Sequence, residues 1–155
     1  MVRRSICLAL LGALIASPAQ AEIGRIKSTS GAATVLRGAS PMPAAIGQDL
    51  MPGDWLETGK DGRISLTFID DTRFSIGPDS RIALAKFDYD RTTEKGSFIA
   101  KVERGSIAVV SGRIAKTRCG GQEAAAQSSC GGMEVQTPKS TLAVRGTRFI
   151  ITVPR

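Results

Sequence analysis

The sequence predicts an all-β domain, built as a compact roll or a solenoid-like sandwich of short antiparallel strands. Residues 64–68 show this best, because apolar Ile, Leu and Phe alternate with polar Ser and Thr, and successive side chains of a strand point to opposite faces. Turn formers return between such runs, as at Asp70–Asp71 and Gly77–Asp79. No long helical pattern follows residue 21.

The first 21 residues are expected to be a secretory signal peptide. Arg3 and Arg4 precede an apolar run over residues 6–16, and Ala19–Ala21 supplies the small residues of a cleavage site. The run is shorter than the roughly 20 apolar residues that span a bilayer. We therefore expect cleavage after Ala21 and a periplasmic or secreted protein. The alternative is a short membrane anchor that stays attached.

The mature chain, residues 22–155, has the length of a single domain without a further membrane span. The full chain carries 21 Lys and Arg against 14 Asp and Glu, a net charge of +7, and removal of Arg3 and Arg4 leaves 19 against 14, or +5. The basic residues are scattered, unlike the basic stripe with neighbouring aromatics of a nucleic-acid surface. We interpret these scattered basic residues as an ordinary solvated surface. The alternative is that they attract anionic envelope polymers weakly.

The first half of the mature chain alternates short strands and turns. Residues 24–38 predict two strands around a central turn. Pro52–Asp54 predicts another turn, after which Trp55 and Leu56 are both expected to pack inward. Asp61–Gly62 suits a tight hairpin, because Asp and Gly tolerate the backbone angles of such turns.

The second half continues the pattern up to a glycine. Phe98, Ala100 and Val102 alternate with polar residues, and Gly105 is expected to end their strand. A more fully apolar strand follows, and residues 113–117 are expected to extend it.

A segment without strand character then separates two strand-like regions. Residues 119–132 are rich in Gly, Ser and Ala and show no alternation, which predicts an excursion from the fold. Its alternative is a short helix over residues 122–127. Strand character returns at residues 133–138 and 140–153.

Two cysteines, Cys119 and Cys130, remain once Cys7 is lost with the signal peptide. An even pair in an exported protein favours a disulfide, which would contribute roughly 2–4 kcal/mol in the chain-entropy model. A metal site needs more ligands than two thiols, and a redox pair is more typical as Cys-x-x-Cys near a helix start. A structural disulfide is therefore predicted.

No arrangement of catalytic residues is recognisable in the sequence. The chain has no histidine, which excludes Ser-His-Asp and Cys-His mechanisms. Asp70 and Asp71 are expected in a turn rather than as paired catalytic carboxylates. Asp88 and Asp90 could share a strand face suited to Ca²⁺, but two carboxylates are few for such a site, and solvent-facing charges are favoured. We expect a non-enzymatic protein without a metal or cofactor.

Three segments, in this order, resemble the FecR domain family, which is named after the ferric-citrate regulator. They are residues 47–84, 101–112 and 135–153, and the resemblance covers about residues 45–153. The family pattern runs from a Gly-Asp pair and a Thr-Gly step to a Thr-Pro and Val-Arg-Gly-Thr ending. The matching residues, called the motif residues below, are Gly53, Asp54, Thr58, Gly59, Asp70, Gly105, Thr137, Pro138, Val144, Arg145, Gly146 and Thr147.

The resemblance implies an all-β domain outside the cytoplasm. In the family's regulators, this domain belongs to a membrane protein that receives a signal from an outer-membrane transporter and controls a sigma factor. We expect this chain to be more like the single-domain exported members, because the sequence shows neither a cytoplasmic segment before the predicted signal peptide nor a small mixed α/β domain after the Arg-Gly-Thr strand.

We therefore expect a binding or assembly module with an envelope protein partner and no nucleic acid. Strand edges, the turn at Asp70–Asp71 or the disulfide loop are the candidate contacts, because edge strands offer unpaired backbone groups. An accessory component of envelope signalling and a binder of cell-wall or surface polysaccharide are the alternatives.

Arg145 and Gly146 interrupt the last strand-like run. Gly146 is expected to permit a bulge, so that the strand changes face between Leu142/Val144 and Phe149/Ile151. Arg145 is expected to bond backbone carbonyls or an acid such as Asp54. The alternative is an exposed contact for a partner.

Overall fold

The computed structural model of the protein describes residues 21–116, 131–146 and 148–154. Most of the predicted signal peptide, both cysteines of the predicted disulfide (Cys119 and Cys130) and Thr147 lie outside the described residues. No helix in the described part of the chain is long and apolar enough to cross a membrane.

Strands dominate the described chain, which confirms the predicted all-β class. They are β1 (Gly24–Ser30), β2 (Ala33–Arg37), β3 (Ser40–Pro43), β4 (Asp49–Leu50), β5 (Trp55–Thr58), β6 (Arg63–Phe68), β7 (Arg73–Ile76), β8 (Arg81–Asp90), β9 (Lys95–Val110), β10 (Gly132–Gln136), β11 (Thr141–Val144) and β12 (Arg148–Val153). One 3₁₀ helix covers Ile114–Lys116. Every second residue of β6 is buried, as its alternation predicts.

The strands form two sheets that share β9. Sheet A has the order β12-β9-β7-β6-β1-β4, and sheet B has the order β3-β2-β5-β8-β9-β10-β11. All pairs are antiparallel except β9–β10, which is parallel. The predicted roll of short antiparallel strands is therefore confirmed, with one parallel pair added to it.

A cluster of phenylalanines joins the two sheets in the core. Phe68 and Phe74 of sheet A contact Phe98 of sheet B, with ring centroids 4.6 and 5.4 Å apart. Phe87 of sheet B lies 5.0 Å from Phe98. All four are buried, and each buried ring is worth about 1.5–3 kcal/mol of hydrophobic stabilisation. These contacts hold sheet A against sheet B.

The turns between strands are of two kinds, hairpins and crossings between sheets. Asp70–Asp71 lies in the β6–β7 hairpin, as predicted. Asp61–Gly62 instead connects β5 of sheet B to β6 of sheet A, so the predicted tight hairpin is wrong there. Residues 31–32 likewise cross from β1 to β2. The two crossings contact each other, since Gly59 N donates to Ala32 O at 2.8 Å.

Strand β9 carries the chain from sheet B into sheet A without a break. Gly105 lies inside it, with a φ of +90°, so the prediction that Gly105 ends a strand is wrong. This φ is one that residues with a side chain rarely adopt. The predicted extension over residues 113–117 is wrong for its described part, because residues 114–116 form the 3₁₀ helix, and residue 117 lies outside the described residues.

The two residues that open β5 point to opposite faces of sheet B. Leu56 is fully buried, as predicted, whereas Trp55 is only partly buried. Alternation along the strand makes it impossible for both neighbours to face the core. The guanidinium of Arg81 covers the Trp55 ring, 4.7 Å from its centroid, so the inward prediction for Trp55 is wrong.

Candidate functional site

Several motif residues, among them Asp54, Thr58, Asp70 and Gly105, hold the fold together. Asp54, which precedes β5, has a side chain that is 1% exposed. Its carboxylate accepts hydrogen bonds from Arg37 Nε at 2.9 Å and Arg37 Nη2 at 2.8 Å, and from Met51 N at 2.9 Å. The hydrogen bonds with Asp54 raise the pKa of Arg37. The partner of Asp54 is therefore Arg37 and not Arg145.

A second set of motif residues fixes the crossing between β7 and β8. Thr58 Oγ1 donates to Gly77 O at 2.7 Å and accepts from Ser80 N at 2.9 Å. Ser80 Oγ accepts from Ser106 N at 3.0 Å. Ser80 also lies so close to Gly105 that any Cβ there would collide with its Cα and Oγ. These hydrogen bonds and contacts hold the crossing between Thr58, at the end of β5, and Gly105–Ser106 in β9.

Asp70 is completely buried, so within the turn that was predicted as an exposed candidate contact Asp71 is exposed and Asp70 is not. Its Oδ1 accepts from Thr72 N at 3.1 Å, and its Oδ2 accepts from Thr72 Oγ1 at 2.7 Å and Ile114 N at 3.3 Å. These bonds tie the β6–β7 turn to the start of the 3₁₀ helix. Asp71 is exposed and forms an ion pair with Arg113 at 3.1 Å.

The other described motif residues lie at the β10–β11 turn and at the end of β11. Thr137 N donates to Ser140 O at 2.8 Å, and Ser140 N donates to Thr137 Oγ1 at 3.0 Å. Pro138 is exposed within this turn. Val144, the last residue of β11, packs against the core, and Arg145 after it is exposed.

Between Val144 and Arg148 the chain passes from one sheet to the other instead of continuing one bulged strand. β11 pairs with β10 in sheet B, whereas β12 pairs with β9 in sheet A. Gly146 has a φ of +56° in this connection. The predicted change of face is therefore wrong, because the chain changes sheet. Val144 and Phe149 contact the same core from the two sides.

An open groove lies between β11 and β12, and we call it the edge groove. Its volume is about 620 Å³. Within the described chain, β11 pairs only with β10, and β12 pairs only with β9. Each of these strands therefore has one edge of backbone N–H and C=O groups that no other described strand pairs. The lining residues are Glu103, Thr137, Pro138, Lys139, Ser140, Leu142, Ile150, Ile151, Thr152, Val153 and Pro154.

Two large apolar side chains of the edge groove are exposed, and neither was predicted as part of a site. Leu142 is 42% exposed and Ile150 is 73% exposed. The sequence does hold a signal for Ile150. Its neighbours Phe149 and Ile151 pack against the core, so alternation places Ile150 on the outer face, where a polar residue is usual.

The described residues do not build a metal site, since they hold no group of three or more Asp, Glu, Cys or His side chains placed for one. Asp88 and Asp90 are both exposed, as predicted. Asp90 Oδ1 accepts from Thr92 N at 2.7 Å and from Thr93 N at 3.3 Å. The bond from the Thr92 backbone, the strongest cause, lowers the pKa of Asp90. Asp90 thus stabilises a turn.

Arg145→Ala is expected to change the free energy of unfolding by less than about 0.5 kcal/mol, as is usual for exposed positions. Arg145 is exposed and forms no hydrogen bond or ion pair with another described residue. Urea denaturation of the mature protein measures the effect. Arg37→Ala is the matched comparison and should cost more, because it leaves the buried Asp54 carboxylate unpaired. A loss above about 1 kcal/mol for Arg145→Ala would show a buried charged bond.

A family model described as FecR protein matches residues 54–154. Comparisons with curated proteins and with solved structures give no significant match. The matched range contains every motif residue except Gly53, and it covers well over half of the chain. The resemblance is thereby confirmed, and the chain belongs to the FecR protein family.

Proposed function

We propose that the mature chain is a non-enzymatic, periplasmic protein-binding or assembly module, and that an envelope protein binds it along the edge groove. The observation that carries this proposal is the arrangement of β11 and β12 on either side of a groove with exposed Leu142 and Ile150, since each strand has one edge that no other described strand pairs.

Free edges of this kind need an explanation. An unpaired edge strand is a template for another strand, and natural proteins usually protect it with charge, proline, a bulge or a covering segment. β11 (TLAV) and β12 (RFIITV) contain no proline, and one charged residue, Arg148, lies at the start of β12. Addition of a partner strand would satisfy the backbone groups and would cover Leu142 and Ile150.

The distribution of the motif residues supports the same site. Asp54, Thr58 and Asp70 are buried and fix turns and crossings. Thr137 and Pro138, in contrast, line the edge groove. The motif therefore builds the frame and one wall of the proposed binding surface.

Membership of the FecR family associates the chain with regulators of envelope signalling. A role as an accessory component of such signalling is the second candidate, and it is compatible with the same groove. In that case the bound protein is a transporter or a membrane regulator. Polysaccharide binding has less support, because Arg81 already lies over the ring of Trp55, the single tryptophan, and competes with a sugar for stacking on that face.

A photo-crosslinking residue at Ile150 is expected to trap a discrete envelope protein in cells that export the chain. The same residue at Ile46 is the matched control, because Ile46 is 70% exposed and Ile150 is 73% exposed, while Ile46 lies outside the edge groove. Mass spectrometry identifies the trapped protein. A transporter or membrane regulator favours the signalling role, and other envelope proteins favour assembly.

The proposal fails if positions 46 and 150 give the same adducts, or if neither exceeds an exported control protein. Sedimentation of the purified protein with cell-wall sacculi is the parallel measurement. Sedimentation that salt abolishes, without adducts at position 150, would assign the protein to polymer binding instead.

A further inference from the structure

We infer that the edge groove selects an acidic, extended protein segment, namely a short run of alternating apolar residues with Asp or Glu on both sides. This inference rests on the proposed function and adds the chemistry of the partner to it. Three features of the groove carry it: the positions of its basic side chains, the pairing state of its acidic one, and the length of its strands.

Basic side chains lie at both ends of the groove's strands. Lys139 precedes β11 and lines the groove, Arg145 follows β11, and Arg148 begins β12. All three are exposed, and none forms an ion pair with another described residue. Other described basic residues, such as Lys27 and Lys60, also lack an ion pair, whereas Arg25 and Arg113 have acidic partners within 3.2 Å. What distinguishes Lys139, Arg145 and Arg148 is their position at the ends of the two strands that border the groove.

The acidic residue that lines the groove does not neutralise this charge. Glu103 Oε2 lies 3.2 Å from Arg81 Nε, and Glu57 Oε1 lies 3.2 Å from the same nitrogen. Glu103 is thus already engaged on the face of sheet B. A partner strand that pairs along β11 meets Lys139 before this strand and Arg145 after it, so complementary potentials require acidic groups at both ends of the partner strand.

The same charges argue against a second copy of this chain as the occupant. Pairing of two β12 or two β11 edges would bring the Lys139, Arg145 and Arg148 side chains of both copies to one interface. Each chain also carries a net charge of +7 before cleavage of the predicted signal peptide. Like charges placed opposite each other across a strand pair are destabilising, so the edge favours an acidic partner over itself.

The strands set the length of the segment. β11 has four residues and β12 has six, so they span roughly 13 and 20 Å at about 3.3 Å per residue. A central run of four to six residues therefore fits between the cations. In this run, every second side chain of the bound segment would face Leu142 and Ile150. Because both are apolar, the segment should carry apolar residues at alternate positions.

Fluorescence anisotropy of the mature chain, residues 22–155, with designed peptides tests this inference. The acidic probe has a central Val-Thr-Ile-Thr-Val run with two Glu residues on each side. A second probe replaces all Glu by Lys, and a third keeps Glu but has Pro at both central Thr positions. We expect the acidic probe to bind at least about tenfold more tightly than the Lys probe, and the Pro probe to lose binding because it cannot pair along an edge.

Charge reversal in the protein completes the test. The double variant Lys139→Glu with Arg145→Glu is expected to bind the acidic probe more weakly and the Lys probe more tightly than the unchanged protein does. Lys27→Glu with Lys60→Glu is the matched control, since both lysines are exposed and lie outside the groove lining, and it should leave the ratio of the two probes nearly unchanged. Higher salt should weaken the acidic probe.

The outcomes separate this inference from the proposed function. Equal or tighter binding of the Lys probe overturns the acidic selectivity, even if crosslinks at position 150 still show a protein partner. Equal binding of the Pro probe overturns strand addition. Competition by alginate as strong as that by the acidic probe, at matched charge, would assign the site to anionic polymers and overturn the inference.

Discussion

Gly105→Ala is expected to lower the free energy of unfolding by about 3–5 kcal/mol. Gly105 has a φ of +90° in the middle of β9, where the strand passes from sheet B to sheet A. An added Cβ would collide with the Cα, Cβ and Oγ of Ser80. Ser80 cannot retreat easily, because its Oγ accepts from Ser106 N at 3.0 Å and donates to Gly77 O at 2.9 Å. The variant must therefore distort the link between the sheets.

Gly53→Ala separates the two causes of this loss. Gly53 has nearly the same backbone angle, with a φ of +88°, but no atom lies within 4 Å of an added Cβ. It should therefore show only the cost of the left-handed conformation, about 1–2 kcal/mol. Urea denaturation of the mature protein, followed by far-UV circular dichroism and Trp55 fluorescence, measures both variants. Equal losses would mean that the contact with Ser80 contributes nothing.

Local patterns in the sequence were sufficient to predict most strands. The buried residues of β6 recur with period two, because one face of the strand packs against the core, and this pattern is visible without any knowledge of the partner strands. The same reasoning found the first part of β9, where Phe98, Ala100 and Val102 are all buried. It was not applied to Trp55 and Leu56, which were both expected to pack inward although alternation allows only one of two neighbours to do so.

The connections between strands could not be predicted in the same way. Asp61–Gly62 and Asp70–Asp71 are both turns with Asp, yet the first crosses between the sheets and the second closes a hairpin. The difference depends on contacts far along the chain, such as the bond from Gly59 N to Ala32 O. Gly105 was likewise mistaken for a strand end. Its actual role depends on the close approach of Ser80, which is distant in sequence and leaves no room for a side chain at position 105.

The candidate site depended on those same long-range pairings. β11 and β12 are edges only because they belong to different sheets, which no local pattern reveals. Ile150 was the residue that the sequence could have marked, as an apolar residue on the outer face of β12. Most motif residues identified the fold rather than the groove, since residues such as Asp54 and Asp70 are buried and stabilise turns.

Asp70→Ala is expected to lower the free energy of unfolding by about 3–5 kcal/mol. The Asp70 carboxylate is completely buried and accepts hydrogen bonds from Thr72 N, Thr72 Oγ1 and Ile114 N, at 3.1, 2.7 and 3.3 Å. Truncation leaves these donors buried without an acceptor, because an alanine methyl group cannot replace the oxygens. Urea denaturation gives the loss, and amide hydrogen exchange at Ile114 should accelerate.

Replacement of each of the two neighbouring aspartates by Asn gives the matched control. Asp70→Asn keeps the shape of the side chain but loses the acceptor oxygen that serves Thr72 Oγ1 and Ile114 N, so it should cost about 1–3 kcal/mol. Asp71→Asn removes an exposed carboxylate that pairs with Arg113 at 3.1 Å, and should change stability by less than about 1 kcal/mol. Similar losses for both Asn variants, with unchanged exchange at Ile114, would contradict the role of Asp70. In that case the β6–β7 turn would be held by its backbone bonds alone, such as Arg113 N to Asp70 O at 2.8 Å.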